Sequence, residues 1–232
     1  TAANKYKTET DKTQKENNMN NLQNNVVTLA GEIVSGAVFS HETYGEKFYE
    51  ITLAVKRLSG MDDYLPVSVS EHLLSAAVKV GNKKPVCGQF RSYNKTVEEK
   101  SKLMLTVFAR DIMPFDDTIN PNTLKLNGYI CKPPVYRKTP FNREICDVLI
   151  AVNRQYGKSD YIPCIVWGRN ARFAQNLSVG EHICVSGRVQ SRTYQKKLSE
   201  ENVVTRTAYE VSVNKIDVVD DSILPTPADT VV

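Results

Sequence analysis

The sequence predicts an all-β chain in which one small five-stranded unit occurs twice. Three observations carry this. First, there is a long repeat. Leu53-Ala54-Val55-Lys56-Arg57 and Asp63-Tyr64-Leu65-Pro66-Val67-Ser68-Val69 return 97 residues later as Ile150-Ala151-Val152-Asn153-Arg154 and Asp160-Tyr161-Ile162-Pro163-Cys164-Ile165-Val166, and Gly31 and Gly128 keep that offset. Val86-Cys87-Gly88 matches Val185-Ser186-Gly187 at 99, and Val107 through Ile112 matches Val211 through Ile216 at 104, the drift that changes of loop length produce. Such a period is a domain length, well beyond the ~20–50 residues of a solenoid repeat. Second, short runs rich in β-branched and aromatic residues are separated by turn residues. Third, each copy carries a single helix-like stretch in the same place.

In the first copy, residues 26–115, strands are read at 26–35, 47–57, 63–70, 85–95 and 102–113. In the second, residues 123–219, they are read at 123–131, 144–154, 160–167, 181–194 and 203–219. The helix-like stretches are Glu71–Val80 and Arg169–Leu177, and Gly81 and Gly180 then turn the chain into the fourth strand. Five strands with a helix between the third and fourth is the element order of an OB-fold barrel. Two tandem OB-fold five-stranded barrels are therefore expected, each with one helix between strands 3 and 4. A sandwich is the alternative, but a unit this short with a single helix fits the small barrel better. Residues 116–122, with Pro121, form the linker. Residues 1–25 are too polar to offset the entropy of ordering and read as a disordered or weakly ordered tail. Met19 resembles a natural start, which would leave residues 1–18 outside the functional unit. Residues 220–232 read as a loose C-terminal tail.

Composition narrows the function. With 41% hydrophobic and 24% charged residues the chain is ordinary for a globular protein. No apolar run approaches the ~18–20 residues of a membrane helix, and no apolar secretory core opens the chain. A cytoplasmic protein without a membrane partner is expected. Cys87, Cys131, Cys146, Cys164 and Cys184 are odd in number and include no Cys-x-x-Cys pair, so they read as free thiols in a reducing compartment. His41, His72 and His182 are scattered and supply no zinc cluster. There is no nucleophile elbow, phosphate-binding glycine loop or paired-carboxylate motif. The expectation is no enzyme, no metal and no cofactor. Charge is uneven: residues 26–115 carry 11 Lys/Arg against 10 Asp/Glu, whereas residues 120–220 carry 15 against 9. A polyanion that engages mainly the second copy would account for that.

Each copy orients the other. Leu65, Val67 and Val69 alternate with Tyr64, Pro66, Ser68 and Ser70, so the first set faces the core. Shifting by 97 sends Ile162, Cys164 and Val166 inward and Tyr161, Pro163, Ile165 and Trp167 outward. In the fourth strand Ile183, Val185, Gly187 and Val189 point in, and Arg188, Gln190, Arg192 and Tyr194 point out. The matching outward set in the first copy is Gln89, Arg91, Tyr93 and Lys95. Arginines among aromatics on one sheet face suit an unpaired nucleic acid strand. Cations neutralise phosphates, and rings stack bases at roughly 1–3 kcal/mol each with little regard for sequence. Arg154, Tyr161, Trp167, Arg188, Arg192 and Tyr194 are the leading candidates, with Arg169 at the helix start. Lys56, Tyr64, Arg91 and Tyr93 are their counterparts in the first copy. Ser70 stands where the second copy has Trp167, so the first platform reads as degraded. Single-stranded RNA suits the same surface, because no residue pattern reports 2′-hydroxyl recognition.

Asn153-Arg154 through Asp160-Tyr161-Ile162-Pro163-Cys164-Ile165-Val166-Trp167-Gly168, followed by Val179 through Gly187-Arg188-Val189-Gln190-Ser191-Arg192-Thr193-Tyr194, resembles the bacterial single-stranded DNA-binding protein family. The resemblance is strong over 123–219 and faint over 26–113. It implies an OB fold, sequence-tolerant binding of single-stranded DNA in replication, recombination or repair, and stacking by Tyr161, Trp167 and Tyr194. Arg154, Arg188 and Arg192 match basic positions of the family. It also implies four OB folds working together, which two per chain would supply as a homodimer, and replication or repair proteins as further partners. The family usually closes on an acidic tail with a Phe-terminated tip; here Asp220-Asp221-Ser222-Ile223-Leu224-Pro225 runs on to Val232. An assembly or replication-restart accessory acting mainly through protein contacts is the competing reading.

Overall fold

The computed structural model describes residues 24–74, 78–97, 100–116, 118–197 and 203–220. Of the tails expected at 1–25 and 220–232, residues 1–23 and 221–232 lie outside the described residues, and the bound at 25 is a correction, because Asn25 opens β1 and is buried. The strands are β1 (Asn25–Ile33), β2 (Val38–Thr43), β3 (Glu46–Lys56), β4 (Asp62–Ser70), β5 (Lys83–Val97), β6 (Lys100–Ile112), β7 (Asn122–Ile130), β8 (Val135–Lys138), β9 (Glu144–Asn153), β10 (Ser159–Trp167), β11 (His182–Lys197) and β12 (Val203–Val218). One α-helix among the described residues, α1 (Gly168–Ala174), follows β10.

The expected strands all form. β2 and β8 are additional. β2 exposes every side chain and β8 nearly so, and an edge strand with no buried face leaves no alternation to read. The expected helix Glu71–Val80 is a correction. Its start is a 3-10 turn, Glu71–Leu73, and residues 78–80 are not helical. In the second half α1 buries the small Ala171 and Ala174 against the core; in the first, the bulkier Leu73, Leu74 and Val78 pack there instead.

Pairing follows the repeat. The strand order is β2-β3-β4-β6-β5-β1-β7-β11-β12-β10-β9-β8, which reads alike from both ends once six is added to each label. Within the first half, β1 pairs β5, β5 pairs β6, β6 pairs β4, β4 pairs β3, and β3 returns to β1. β7, β11, β12, β10 and β9 make the same closed circuit. Closure forces β1 and β7 to bend from one partner to another, and glycine sits at each bend. A Cβ on Gly31 would lie 2.4 Å from the Ala54 carbonyl oxygen, and on Gly128 2.4 Å from that of Ala151. No larger residue fits such an approach.

The halves meet where β1 runs antiparallel to β7, with Val27 opposite Leu124. These two residues are related by the 97-residue offset, so the junction has a local two-fold. The linker expected at 116–122 therefore ends one residue earlier, because Asn122 already opens β7. Asn25 and Asn122 repeat one device at the strand starts. Each side-chain amide donates to a carbonyl (Phe90 at 2.7 Å, Val189 at 2.7 Å) and accepts from that residue's N–H.

Candidate nucleic-acid interface

The alternation inferred from the repeat holds along β4 and β10. Leu65, Val67, Val69, Ile162, Cys164 and Val166 are buried, while Tyr64 and Tyr161 are exposed. One outward assignment is corrected. Ile165 is only 7% exposed. It stands beside Ser212 of β12, and the Trp167 indole N–H donates to Ser212 Oγ at 3.1 Å. Ile165 and the Trp167 indole thus share Ser212 as a neighbour. Ser68, the counterpart, is also buried.

Two sequence candidates, Arg154 and Arg188, belong to the seam between the halves, where each meets a buried aspartate. Asp63 and Asp160, each 0% exposed, lie at equivalent positions on β4 and β10. Asp63 accepts from Arg57 Nε at 2.7 Å and from the Ser191 N–H at 2.7 Å, and Arg188 Nη1 lies 3.4 Å from it. Asp160 accepts from the Ser92 N–H at 2.6 Å and faces Arg154 Nε at 3.2 Å without hydrogen-bond alignment. Arg57 matches Arg154, and Ser92 matches Ser191. The same lock is thus built twice, each time holding a strand-start aspartate of one half on the fourth strand of the other. Hydrogen bonding to Asp63 raises the Arg57 pKa. Burial, more than the nearby Arg57, lowers that of Arg188. Neither aspartate, nor Arg57, was legible as a site residue. Their signal was the invariant Arg-to-Asp spacing in both copies.

The remaining candidates divide by location. Tyr161 donates its N–H to Ser92 Oγ at 2.7 Å, so it sits beside the first half. Tyr64 donates to Ser191 Oγ at 3.3 Å and sits beside the second. Tyr161 and Trp167 occupy opposite ends of β10, and six residues of strand separate them by about 20 Å. At that distance the two rings cannot form one stacking platform. Arg192 is exposed, with its Nε 3.5 Å from Glu210 and its guanidinium 5.6 Å from the Tyr194 ring centroid. Arg169 is exposed on the first turn of α1, and Lys56 is exposed at the end of β3.

Arg91 and Tyr93 line a cleft of about 460 Å³ on the first half, into which Arg154 of the second half also faces. The Arg91 guanidinium lies 3.7 Å from the centroid of Phe108, a ring the sequence reading passed over. The 104-residue offset pairs Phe108 with Ser212, and the 97-residue offset pairs Ser70 with Trp167. Aromatic and serine have exchanged strands between the halves, so the first half does carry a ring.

Among the described residues no group of three or more His, Cys, Asp or Glu could hold a metal ion, and no helix is long and apolar enough to cross a membrane. The five cysteines are free.

Comparison with known proteins agrees with this layout. The model of the single-strand binding protein family matches residues 121–219. A single-stranded DNA-binding protein of Clostridium tetani is 34% identical over 36% of this chain and 63% of its own length. The single-stranded DNA-binding protein 2 of Clostridium acetobutylicum is 33% identical over 38% of this chain and 72% of its own length. The chain thus spans a little under two thirds of the first relative and somewhat more of the second. Among solved structures, the wild-type single-stranded DNA-binding protein from Thermus aquaticus superposes with a TM-score of 0.65 at 20% identity, covering 89% of this chain and 98% of that one. That likeness is one of fold, and its coverage takes in both halves.

Proposed function

The chain belongs to the single-strand binding protein family, and on that premise we propose that it binds single-stranded DNA, without catalysis and with little regard for sequence. Each strand circuit is read as one OB-fold barrel, residues 25–115 and 122–219, with residues 116–121 between them. Bases stack on exposed rings, and phosphates are met by arginines and lysines at the edges. The observation that carries the reading is the placement of Tyr64, Tyr93, Tyr161 and Tyr194, all exposed, on strands of the two circuits, interleaved with Arg91 and Arg192. Four tyrosine rings left exposed on the third and fourth strands of the two circuits present flat faces for unpaired bases.

The direct test is a titration against single-stranded DNA, single-stranded RNA and duplex DNA of one length at one salt concentration. The reading expects the DNA strand to bind tightest and the duplex weakest. Tighter RNA binding would assign the face to RNA, and no binding to any of the three would leave a protein-contact role.

Assembly as a homodimer, giving four barrels, is part of the same proposal, as are replication or repair proteins as partners. The outward parity of Ile165 would offer an apolar dimer surface, but its burial withdraws it. Support comes instead from the exposed Val38 and Phe39 on edge strand β2 and Val135 on edge strand β8. A monomer mass in light scattering at micromolar concentration would overturn the dimer.

A further inference from the structure

The two outer faces are not electrostatically alike. On the second half, Arg188, Arg192 and Arg137 each have a carboxylate: Asp63 at 3.4 Å, Glu210 at 3.5 Å and Asp147 at 2.6 Å. Glu210 is buried on that face and also accepts from Gln190 Nε2 at 2.7 Å. It occupies the centre of the face with a negative charge of its own. The register places its counterpart in the first half at Thr106, which carries no charge, and the counterpart of Gln190 at Arg91.

The first face is therefore inverted. Arg91 and Arg110 both donate to the neutral Gln89 Oε1, at 2.8 and 3.2 Å. Arg154 reaches the cleft from across the seam, with Asp160 3.2 Å behind its Nε but out of hydrogen-bond alignment, and Lys95 lines the wall. Glu50 is the one carboxylate among the lining residues. Burial first, then the neighbouring Arg154 and Arg110, brings the Arg91 pKa down to about 10, with Asp160 pulling the other way. The guanidinium plane of Arg91 rests on Phe108, which fixes its orientation, and Tyr93 stands exposed beside it.

We propose that this cleft of the first half is the stronger single-nucleotide subsite of the chain, taking a phosphate between Arg91 and Arg154 and the attached base on Tyr93. The ligand is one unpaired nucleotide of a strand. The site is incomplete without the second half, which supplies Arg154. The division of labour expected from charge counts is then reversed. The second half holds more arginines, but Arg137, Arg188 and Arg192 each have a carboxylate within 3.5 Å.

This rests on the single-strand reading above and is tested separately from it. A bromodeoxyuridine-substituted oligothymidylate is photo-cross-linked to the unmodified full chain, and the adducts are mapped on peptides. Adducts on the peptides carrying Tyr93 or Phe108 are expected. Adducts confined to residues 121–219 overturn the subsite while leaving single-strand binding intact. In parallel, Arg91→Gln is expected to weaken the oligothymidylate by about 10-fold or more, the loss that follows from one charged contact and its stacked plane. Gln190→Ala, its counterpart, should change the affinity less than about 2-fold, the effect of a side chain already engaged by Glu210. Equal losses for the two variants, or none for Arg91→Gln, overturn the subsite. A chain that binds no single strand at all removes the parent reading and the subsite with it.

Discussion

Ser191 donates its backbone N–H to the fully buried carboxylate of Asp63 at 2.7 Å, across 128 residues of sequence. Ser92 does the same for Asp160 at 2.6 Å in the other direction. Two copies of one sequence thus hold each other through reciprocal contacts, the arrangement of an isologous dimer inside a single chain. Each aspartate exchanges water for an amide and a guanidinium. The pair of locks fixes how the two outer faces stand to one another.

Removing Asp63 should be costly. Asp63→Ala strands the Ser191 amide and the guanidinium of Arg57, which is only partly in solvent. Breaking a buried pair from one side costs about 3–5 kcal/mol. Asp160→Ala loses one aligned hydrogen bond and one looser ion pair, and should cost about 1–3 kcal/mol. Urea unfolding of both variants measures this. A loss below about 0.5 kcal/mol for Asp63→Ala, typical of an uninvolved surface site, would show that the locks do not join the halves.

Asp160 also gives stability a pH dependence. Burial pushes its carboxyl above the usual carboxylate range, outweighing the Ser92 amide and Arg154, which pull it down. A raised folded pKa means the folded state holds the proton more tightly than the unfolded state. The contribution is fully present below the unfolded value near ~3.9 and is lost as pH rises through the folded pKa. Asn at this position does not titrate. Wild-type unfolding free energy minus that of Asp160→Asn should therefore fall as pH rises from about 4 toward neutrality. A difference that grows with pH would mean Arg154 dominates and the carboxyl is held ionised.

Much of this was legible because one copy constrained the other. Alternation at Leu65, Val67 and Val69 oriented the otherwise two-faced strand Tyr161–Trp167, and all the inward residues are buried. The seam was not legible. Asp63 and Asp160 sit on inward positions, where a carboxylate is expensive unless a partner meets it. The partner comes from the other half, and periodicity within one strand carries no information about that. Phe108 was missed for a related reason. A position read strand by strand shows a lost ring at Ser70, whereas the cross-strand neighbour supplies one. Ile165 keeps its outward parity yet is buried, because parity gives the direction of a side chain and not its exposure.

Trp167 is the single tryptophan of the chain, so its emission reports one place. The ring is half-buried, anchored to Ser212, with a face still open to solvent. Single-stranded DNA should quench it. Trp167→Ala should weaken binding by about 1–3 kcal/mol, the range for one stacked base. The accompanying loss of stability should stay under the ~3–5 kcal/mol of a core aromatic. A blue emission indifferent to DNA, with a core-sized loss of stability, would assign the ring to packing alone.

Arg188 and Arg192 lie four residues apart on β11 and should separate cleanly in a salt titration. Arg192 is the more exposed, and its nearest carboxylate, on Glu210, stands off at 3.5 Å. A phosphate can compete for it. Arg188 is turned into the seam toward Asp63, and Gln190 Oε1 accepts from it at 3.0 Å. The logarithm of the affinity for single-stranded DNA should fall linearly with the logarithm of salt concentration, at about −0.7 per phosphate neutralised. Arg192→Ala should make that slope shallower by about 0.7 while the chain unfolds as before. Arg188→Ala should leave the slope nearly unchanged and lower stability by about 1 kcal/mol, a modest figure because its guanidinium is more than a third exposed and screened. The opposite pattern, a shallower slope for Arg188→Ala with intact stability, would place Arg188 on the DNA and leave Asp63 to Arg57 alone.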